Sequence, residues 1–200
     1  GVLAATSSWF FCSTDWLGYC DSWLIVSAML VSFSSSRWLL AAACLVGPWV
    51  DERATILLPL AVLVRMLFLQ FDGKPLKQMK GDVLFIGLCM LPYVVIRSAL
   101  WRRLKVGGGY FFALRSVDLP HYGVPWQGGW MAIRAGWLFV ALVVFWTYQR
   151  QRPIWTAALV AIVVPTAAAG MLIAGDVARS MAIFYPMAVL GIILLARIDP

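Results

Sequence analysis

Two adjacent carboxylates, Asp51 and Glu52, stand directly before Arg53 and the apolar segment Ala54–Gln70. An acid in this position can cap the first turn of a helix and complement the positive end of its dipole. In an active site, the same carboxylate could accept a proton as a general base. That second interpretation places both acids at a membrane boundary, in a polar site shared with other loops. The residues alone leave the two interpretations open.

The other candidates for chemistry lie in segments between apolar runs. They are Asp15, Asp21, Arg102, Arg103, Lys105, His121, Asp176 and Arg179. His121 is the only histidine, so a multi-histidine metal site within this chain is excluded. The four cysteines form no metal-binding pattern, and two of them, Cys44 and Cys89, fall inside apolar runs as small core residues do. We therefore expect neither a metal nor a cofactor.

The composition indicates an integral membrane protein. Hydrophobic residues make up 62% of the chain and charged residues 12%, with a mean hydropathy of +0.86, whereas a soluble domain typically carries about 25% charged residues. Long uncharged runs favour α-helices, because the strands of a membrane barrel alternate polar and apolar residues. The basic residues behind the net charge of +7 are then expected in loops near anionic lipid headgroups. We expect the lipid bilayer, and not nucleic acid, as the partner.

The predicted fold is a single all-α transmembrane domain over residues 1–200, a polytopic bundle of about six or seven membrane helices, some short or kinked by proline. The predicted spans are Ser22–Phe33, Trp38–Val46, Arg53–Gln70, Asp82–Leu100, Trp130–Tyr148, Ile154–Ala174 and Ser180–Ala196. Phe71–Gly81 is predicted to be a basic loop. Residues 104–129 form the only long connection, and their aromatic side chains predict a loop on the membrane surface. The chain begins with Gly1 and not with Met, and its first residues resemble the end of a preceding segment. We therefore expect a fragment of a longer protein.

Two arginines bear on the shape of these helices. One continuous helix from Ser22 to Val46 would hold Arg37 at mid-membrane, where an arginine costs about 2.5–3.5 kcal/mol. We therefore predict a hinge at Ser34–Arg37 between two short helices. Arg65 is the single charge inside its apolar run, and we expect its side chain to extend to the far end of that helix.

The charged loops sort into two faces if each span crosses once. The first face holds Arg37, Lys74, Lys77, Lys80, Arg150, Arg152 and Arg197, with Asp72, Asp82 and Asp199. The second holds His121 and six of the nine acids, which are Asp15, Asp21, Asp51, Glu52, Asp118 and Asp176. The basic short loops predict that the first face is cytoplasmic, although Arg102, Arg103, Lys105 and Arg115 of the long connection lie on the second. Polar groups gathered at one boundary suit a lipid-linked or surface-presented substrate.

The order of these elements resembles the middle of GT-C-type glycosyltransferases, the membrane enzymes that use polyprenyl-phosphate sugars and include mannosyltransferases. The shared order is an Asp-rich loop, a short helix, a Ser/Arg hinge, a second short helix, the Asp51–Arg53 motif and an apolar helix with an early proline. Gly175–Arg179, running into Ile183–Pro186, is similar to the last loop and helix of such proteins. The resemblance implies a multi-pass enzyme of a bacterial inner or plasma membrane that transfers a sugar at the extracytoplasmic face. That family's catalytic Asp usually lies in the first extracytoplasmic loop, upstream of the matching region.

This resemblance also implies roles for individual residues. Inverting transfer requires a carboxylate that accepts a hydroxyl proton, for which Asp51 and Glu52 are the candidates, and cations that stabilise the departing phosphate. Arg102, Arg103 and Lys105 could hold a lipid phosphate or form an ordinary interfacial cluster. The other substrate-binding candidates are Asp15, Asp21, His121, Asp176 and Arg179. Alternatively, Arg179 pairs with Asp176 one turn away, and His121 is a hydrogen-bonding loop residue.

Two other functions fit a polytopic chain of this kind. Half of a transporter or flippase would have inverted repeats and polar residues inside the membrane, and the sequence indicates neither. A non-catalytic membrane subunit would contain acids that are individually dispensable.

Overall fold

The computed structural model describes residues 21–50, 54–104, 129–130, 132–150, 152–173 and 181–198. Within these ranges the chain is helical apart from short turns and contains no strand, which confirms the all-α prediction for them. The helices are α1 (Asp21–Phe33), α2 (Arg37–Val50), α3 (Ala54–Phe71), α4 (Leu76–Leu104), α5 (Gly136–Gln149), α6 (Pro153–Ile173) and α7 (Tyr185–Ile198), with a 3-10 turn at Ala182–Phe184 before α7. The predicted loop over residues 104–129 lies almost wholly outside the described residues.

The hinge between α1 and α2 is confirmed. Residues 34–36 are not helical, and Ser34 closes α1 by donating its backbone N–H to Leu30 O at 3.0 Å. The Ser34 hydroxyl accepts a bond from Ser36 N at 3.1 Å. Such bonds offer the backbone an alternative to the helical pattern, so the serines interrupt the helix. Arg37 begins α2 with an exposed side chain.

The turn between α3 and α4 is shorter than predicted. Lys74 N donates to Leu69 O at 2.9 Å and Gly73 N to Gln70 O at 3.0 Å, the two bonds of a Schellman motif. Gly73 has a φ of 70°, the left-handed conformation that glycine adopts without a steric penalty. The next helix begins at once after Pro75, because the fixed φ of proline suits a helix start. The basic loop predicted over Phe71–Gly81 is therefore wrong, and Lys77 and Lys80 lie in the first turns of α4.

Helix α3 lies at the centre of the bundle and packs against α1, α2, α4, α6 and α7. Its buried side chains are Ala54, Leu57, Leu58, Leu60, Ala61, Leu63, Val64, Arg65, Leu67 and Leu69. At its C-terminal end, Phe68 meets Phe33 of α1 edge to face, with ring centroids 5.4 Å apart. The core therefore forms around the segment that the sequence identified as a span.

Helices α5 and α7 approach each other so closely that a glycine is required between them. A Cβ atom at Gly191 would overlap the backbone carbonyl of Phe139. Next to this contact, the buried Phe184 ring packs against Trp137, with centroids 5.3 Å apart. The two helices therefore form one closely packed unit.

Two predicted spans begin later than expected. The span predicted from Trp130 is interrupted at Arg134, whose φ is 44°, and α5 starts only at Gly136. In the span predicted from Ser180, Ala182–Phe184 is a 3-10 turn, α7 starts only at Tyr185, and Pro186 is its second residue. A proline lacks an N–H, which the first turn of a helix does not require, so it marks a helix start here.

Two of the described helices are long and apolar enough to cross a bilayer. They are Ala54–Phe71 and Leu76–Leu100, with mean hydropathies of 2.0 and 2.1 over 18 residues. The first is 56% buried within the protein, and the second only 11%. Other apolar segments with described side chains, such as Gly136–Gln149, are shorter. The two helices indicate association with a membrane.

Candidate functional site

Most residues predicted to do chemistry lie outside the described residues. These are Asp15, Asp51, Glu52, Lys105, His121, Asp176 and Arg179. Asp21 is the first residue of α1. Arg102 and Arg103 lie exposed in the last turn of α4, where cations complement the negative end of the helix dipole. Their predicted role in binding a lipid phosphate stays a prediction.

A buried ion pair joins α3 to α4. Oδ2 of Asp82 accepts hydrogen bonds from Arg65 Nε at 2.8 Å and from Arg65 Nη2 at 2.6 Å. The two residues are 5% and 7% exposed, respectively. The expectation that Arg65 extends to the end of its helix is therefore wrong.

The hinge after α1 explains the orientation of Arg65. Its Nη1 atom donates to Ser34 O at 2.7 Å and to Val31 O at 3.3 Å. The last carbonyls of a helix have no partner within it, and a positive charge near them is stabilising. Arg65 thus satisfies the end of α1 while Asp82 neutralises its charge. One turn earlier, Ser32 Oγ donates to Ala61 O at 3.3 Å, which also fastens α1 to α3.

This ion pair and its hydrogen bonds connect three helices, α1, α3 and α4. Among the described residues, no buried side-chain nitrogen or oxygen lacks a hydrogen-bond partner, so the pair leaves no buried polar atom open to a ligand. The sequence did contain a signal for it, since Arg65 is a lone charge in an apolar run and an acid follows near the start of the next helix. The two residues are nevertheless 17 positions apart on different helices, so the sequence pattern alone does not predict that they pair.

A cleft of about 510 Å³ opens at one end of the bundle. We name it the arginine cleft, and its lining residues are Leu67, Gln70, Phe71, Trp146, Thr147, Arg150, Arg152, Trp155, Leu194 and Arg197. These residues come from the C-terminal ends of α3, α5 and α7 and from the start of α6. Among the described residues, the lining contains three arginines and no carboxylate.

Each arginine of the cleft is positioned differently. Arg150 caps α5, with its guanidinium carbon 5.0 Å from the centroid of the Trp146 ring. Arg197 forms a partly exposed ion pair with Asp72, with 2.7 Å between Arg197 Nη1 and Asp72 Oδ1. Arg152 directly precedes α6, and its carbonyl accepts a bond from Thr156 N at 3.0 Å. Counted over the described residues alone, these three cations and the carboxylate of Asp72 give the cleft a positive balance of two charges.

The arginines and Asp72 all belong to the face that the sequence predicts as cytoplasmic. The contact between Asp72 and Arg197 shows that the α3–α4 turn and the end of α7 share one end of the bundle. Sequence sorting therefore grouped these residues correctly. It did not reveal that three arginines border one cavity, because that depends on how four helix ends meet.

The arginine cleft can attract an anion, and the buried pair joins α3, which contributes to the cleft lining, to α1 and α4. In comparisons with known proteins, no family model, no curated protein and no solved structure matches this chain.

Proposed function

We propose that this chain is the embedded part of a multi-pass helical membrane protein in which α4 faces lipid. The observation that supports this is the exposed apolar surface of α4. Leu84, Leu88 and Leu91 are 65%, 58% and 55% exposed, in a helix with a mean hydropathy of 2.1. Monomeric soluble proteins rarely expose contiguous apolar patches larger than a few hundred Å². Lipid tails would cover such a surface.

Other helices add to this surface. Leu138 and Phe145 of α5 and Ile154 and Val164 of α6 are more than half exposed. Trp38 is 86% exposed at the start of α2. Exposed tryptophans near helix ends are typical of the boundary between lipid and water.

A charge placed on α4 tests the proposal. In a bilayer, Leu88→Arg puts an arginine against lipid and should disfavour insertion by about 2.5–3.5 kcal/mol. The matched control is Leu76→Arg, because Leu76 is 62% exposed at the very start of the same helix. The measurement is the fraction of protein retained in membranes after an alkaline wash. Retention of Leu88→Arg at the level of the control would contradict a lipid-facing α4.

The more specific activity that we propose is sugar transfer from a polyprenyl-phosphate donor at the extracytoplasmic face of a bacterial inner or plasma membrane. Its support is the order of sequence elements around Asp51 and Glu52, which resembles GT-C-type glycosyltransferases. The rival transporter would use helix-end carbonyls inside the membrane to hold a transported cation. At the α1–α2 hinge, the helix-end carbonyls of Val31 and Ser34 already accept hydrogen bonds from Arg65.

A further inference from the structure

We propose that the arginine cleft binds the phosphate of an anionic lipid headgroup, an inference that rests on the membrane location proposed above. The guanidinium group presents its donors in a planar fork that matches phosphate oxygens. Arg150, Arg152 and Arg197 border one cavity. An anion there would meet positive charge from three separate helix ends.

The partners of these arginines leave donors for a ligand. Among the described residues, Asp72 contacts Arg197 through Nη1, and a guanidinium carries five N–H donors. Arg150 lies against the face of Trp146, a contact that uses the cation without consuming its N–H groups. Arg152 is exposed and stands directly before the N-terminus of α6, where backbone N–H groups and the helix dipole also favour an anion.

The size and the walls of the cleft favour an amphiphilic ligand over a free ion. Small-molecule pockets commonly measure about 300–1,000 Å³, and the cleft measures about 510 Å³, far more than one phosphate ion occupies. Leu67, Leu194, Trp146 and Trp155 add apolar side chains to the same lining as the charges. A phosphate joined to glycerol and acyl chains would use both surfaces.

The position of the cleft also favours a lipid. Tyr148 and Ile154, which directly adjoin the lining residues Thr147 and Trp155 in sequence, are 69% and 81% exposed, so exposed aromatic and apolar side chains lie near the cleft. Tyr and Trp are enriched at the level of the headgroups. A headgroup in the cleft would therefore sit where its acyl chains can pass into the surrounding bilayer.

Binding of phosphatidic acid tests this inference. The probe is dioleoyl phosphatidic acid in nanodiscs of phosphatidylcholine, and the readouts are lipid-dependent thermal stabilisation and lipids retained in native mass spectra. We expect the wild-type protein to be stabilised and to retain the lipid. The double variant Arg150→Gln/Arg152→Gln should bind at least tenfold more weakly, because each charge-assisted hydrogen bond is among the stronger polar contacts.

The matched control is Lys77→Gln/Lys80→Gln, which removes the same charge from the same predicted face but outside the cleft. This control should bind like the wild type. Equal weakening in both double variants would show attraction to overall positive charge and overturn the proposal, as would unchanged binding by the arginine variant. If phosphatidic acid stays bound when inorganic phosphate is added in excess, the ligand is a lipid. If inorganic phosphate displaces it, the cleft is a site for free phosphate and the proposal is overturned. Incorporation into nanodiscs is scored first, because failure at that step counts against the membrane location and not against the cleft.

Discussion

Arg65 and Asp82 meet at 2.6 Å in the interior of the bundle, although they belong to different helices. The same guanidinium bonds the backbone of the α1–α2 hinge. A buried pair of this kind is expensive to break, because the remaining partner becomes an uncompensated buried charge. The pair therefore fixes how α1, α3 and α4 are arranged.

Loss of either partner should destabilise the protein strongly. We expect Arg65→Met or Asp82→Leu to lower the free energy of unfolding by about 3–5 kcal/mol, measured by denaturation in detergent. The double variant should lose less than the sum of the two single losses, because it leaves no unpaired charge. Additive losses would show that the two residues are not coupled.

Gly191 should not tolerate a side chain. Its Cβ would overlap the backbone of Phe139, so we expect Gly191→Ala to cost about 1–3 kcal/mol by forcing α5 and α7 apart. Gly87 is the matched control, since nothing lies within 4 Å of a Cβ there. Gly87→Ala should be neutral or stabilise its helix by up to about 1 kcal/mol. Thermal unfolding of both variants measures the contrast, and equal midpoints would contradict this close contact.

Labelling of engineered cysteines should place the arginine cleft on the cytoplasmic side. We expect a membrane-impermeant thiol reagent outside intact cells to leave Lys77→Cys and Arg152→Cys unmodified, because basic residues close to the ends of membrane helices are retained in the cytoplasm. Asp176→Cys should react. All three should react after the membrane is permeabilised. The opposite pattern in intact cells would reverse the orientation.

The role of Asp51 and Glu52 can be decided with amides. If they only cap a helix, Asp51→Asn should preserve the cap and Glu52→Gln should cost tenths of a kcal/mol. If either acts as a general base in sugar transfer, its amide should fold normally and lose activity by about 10²-fold or more. The measurement is sugar transfer in membranes at matched protein levels. Wild-type activity in both amides would end the catalytic hypothesis.

The helices were predictable where local rules decide them, and the contacts between them were not. The serines at 34–36 and the Gly73–Pro75 turn determine helix ends through nearby backbone bonds, although the sequence reading began α4 too late. Arg65 was misplaced because its partners, Asp82 and the Ser34 carbonyl, come from other helices. The arginine cleft was hidden for the same reason. The carboxylates that the sequence favoured, Asp51 and Glu52, lie outside the described residues.

Given the membrane location that we propose, the two short helices on either side of the hinge have a consequence for how the protein enters the bilayer. With 13 and 14 residues, α1 and α2 are each about 20 Å long, whereas the hydrocarbon core measures about 30 Å. Carbonyls at the tip of this hairpin bond Arg65, whose partner Asp82 lies later in the chain. Until α3 and α4 have been synthesised, the tip would face lipid with unmet carbonyls. We therefore expect the hairpin to settle into the bilayer only after its successors, so that biogenesis does not follow the order of the sequence.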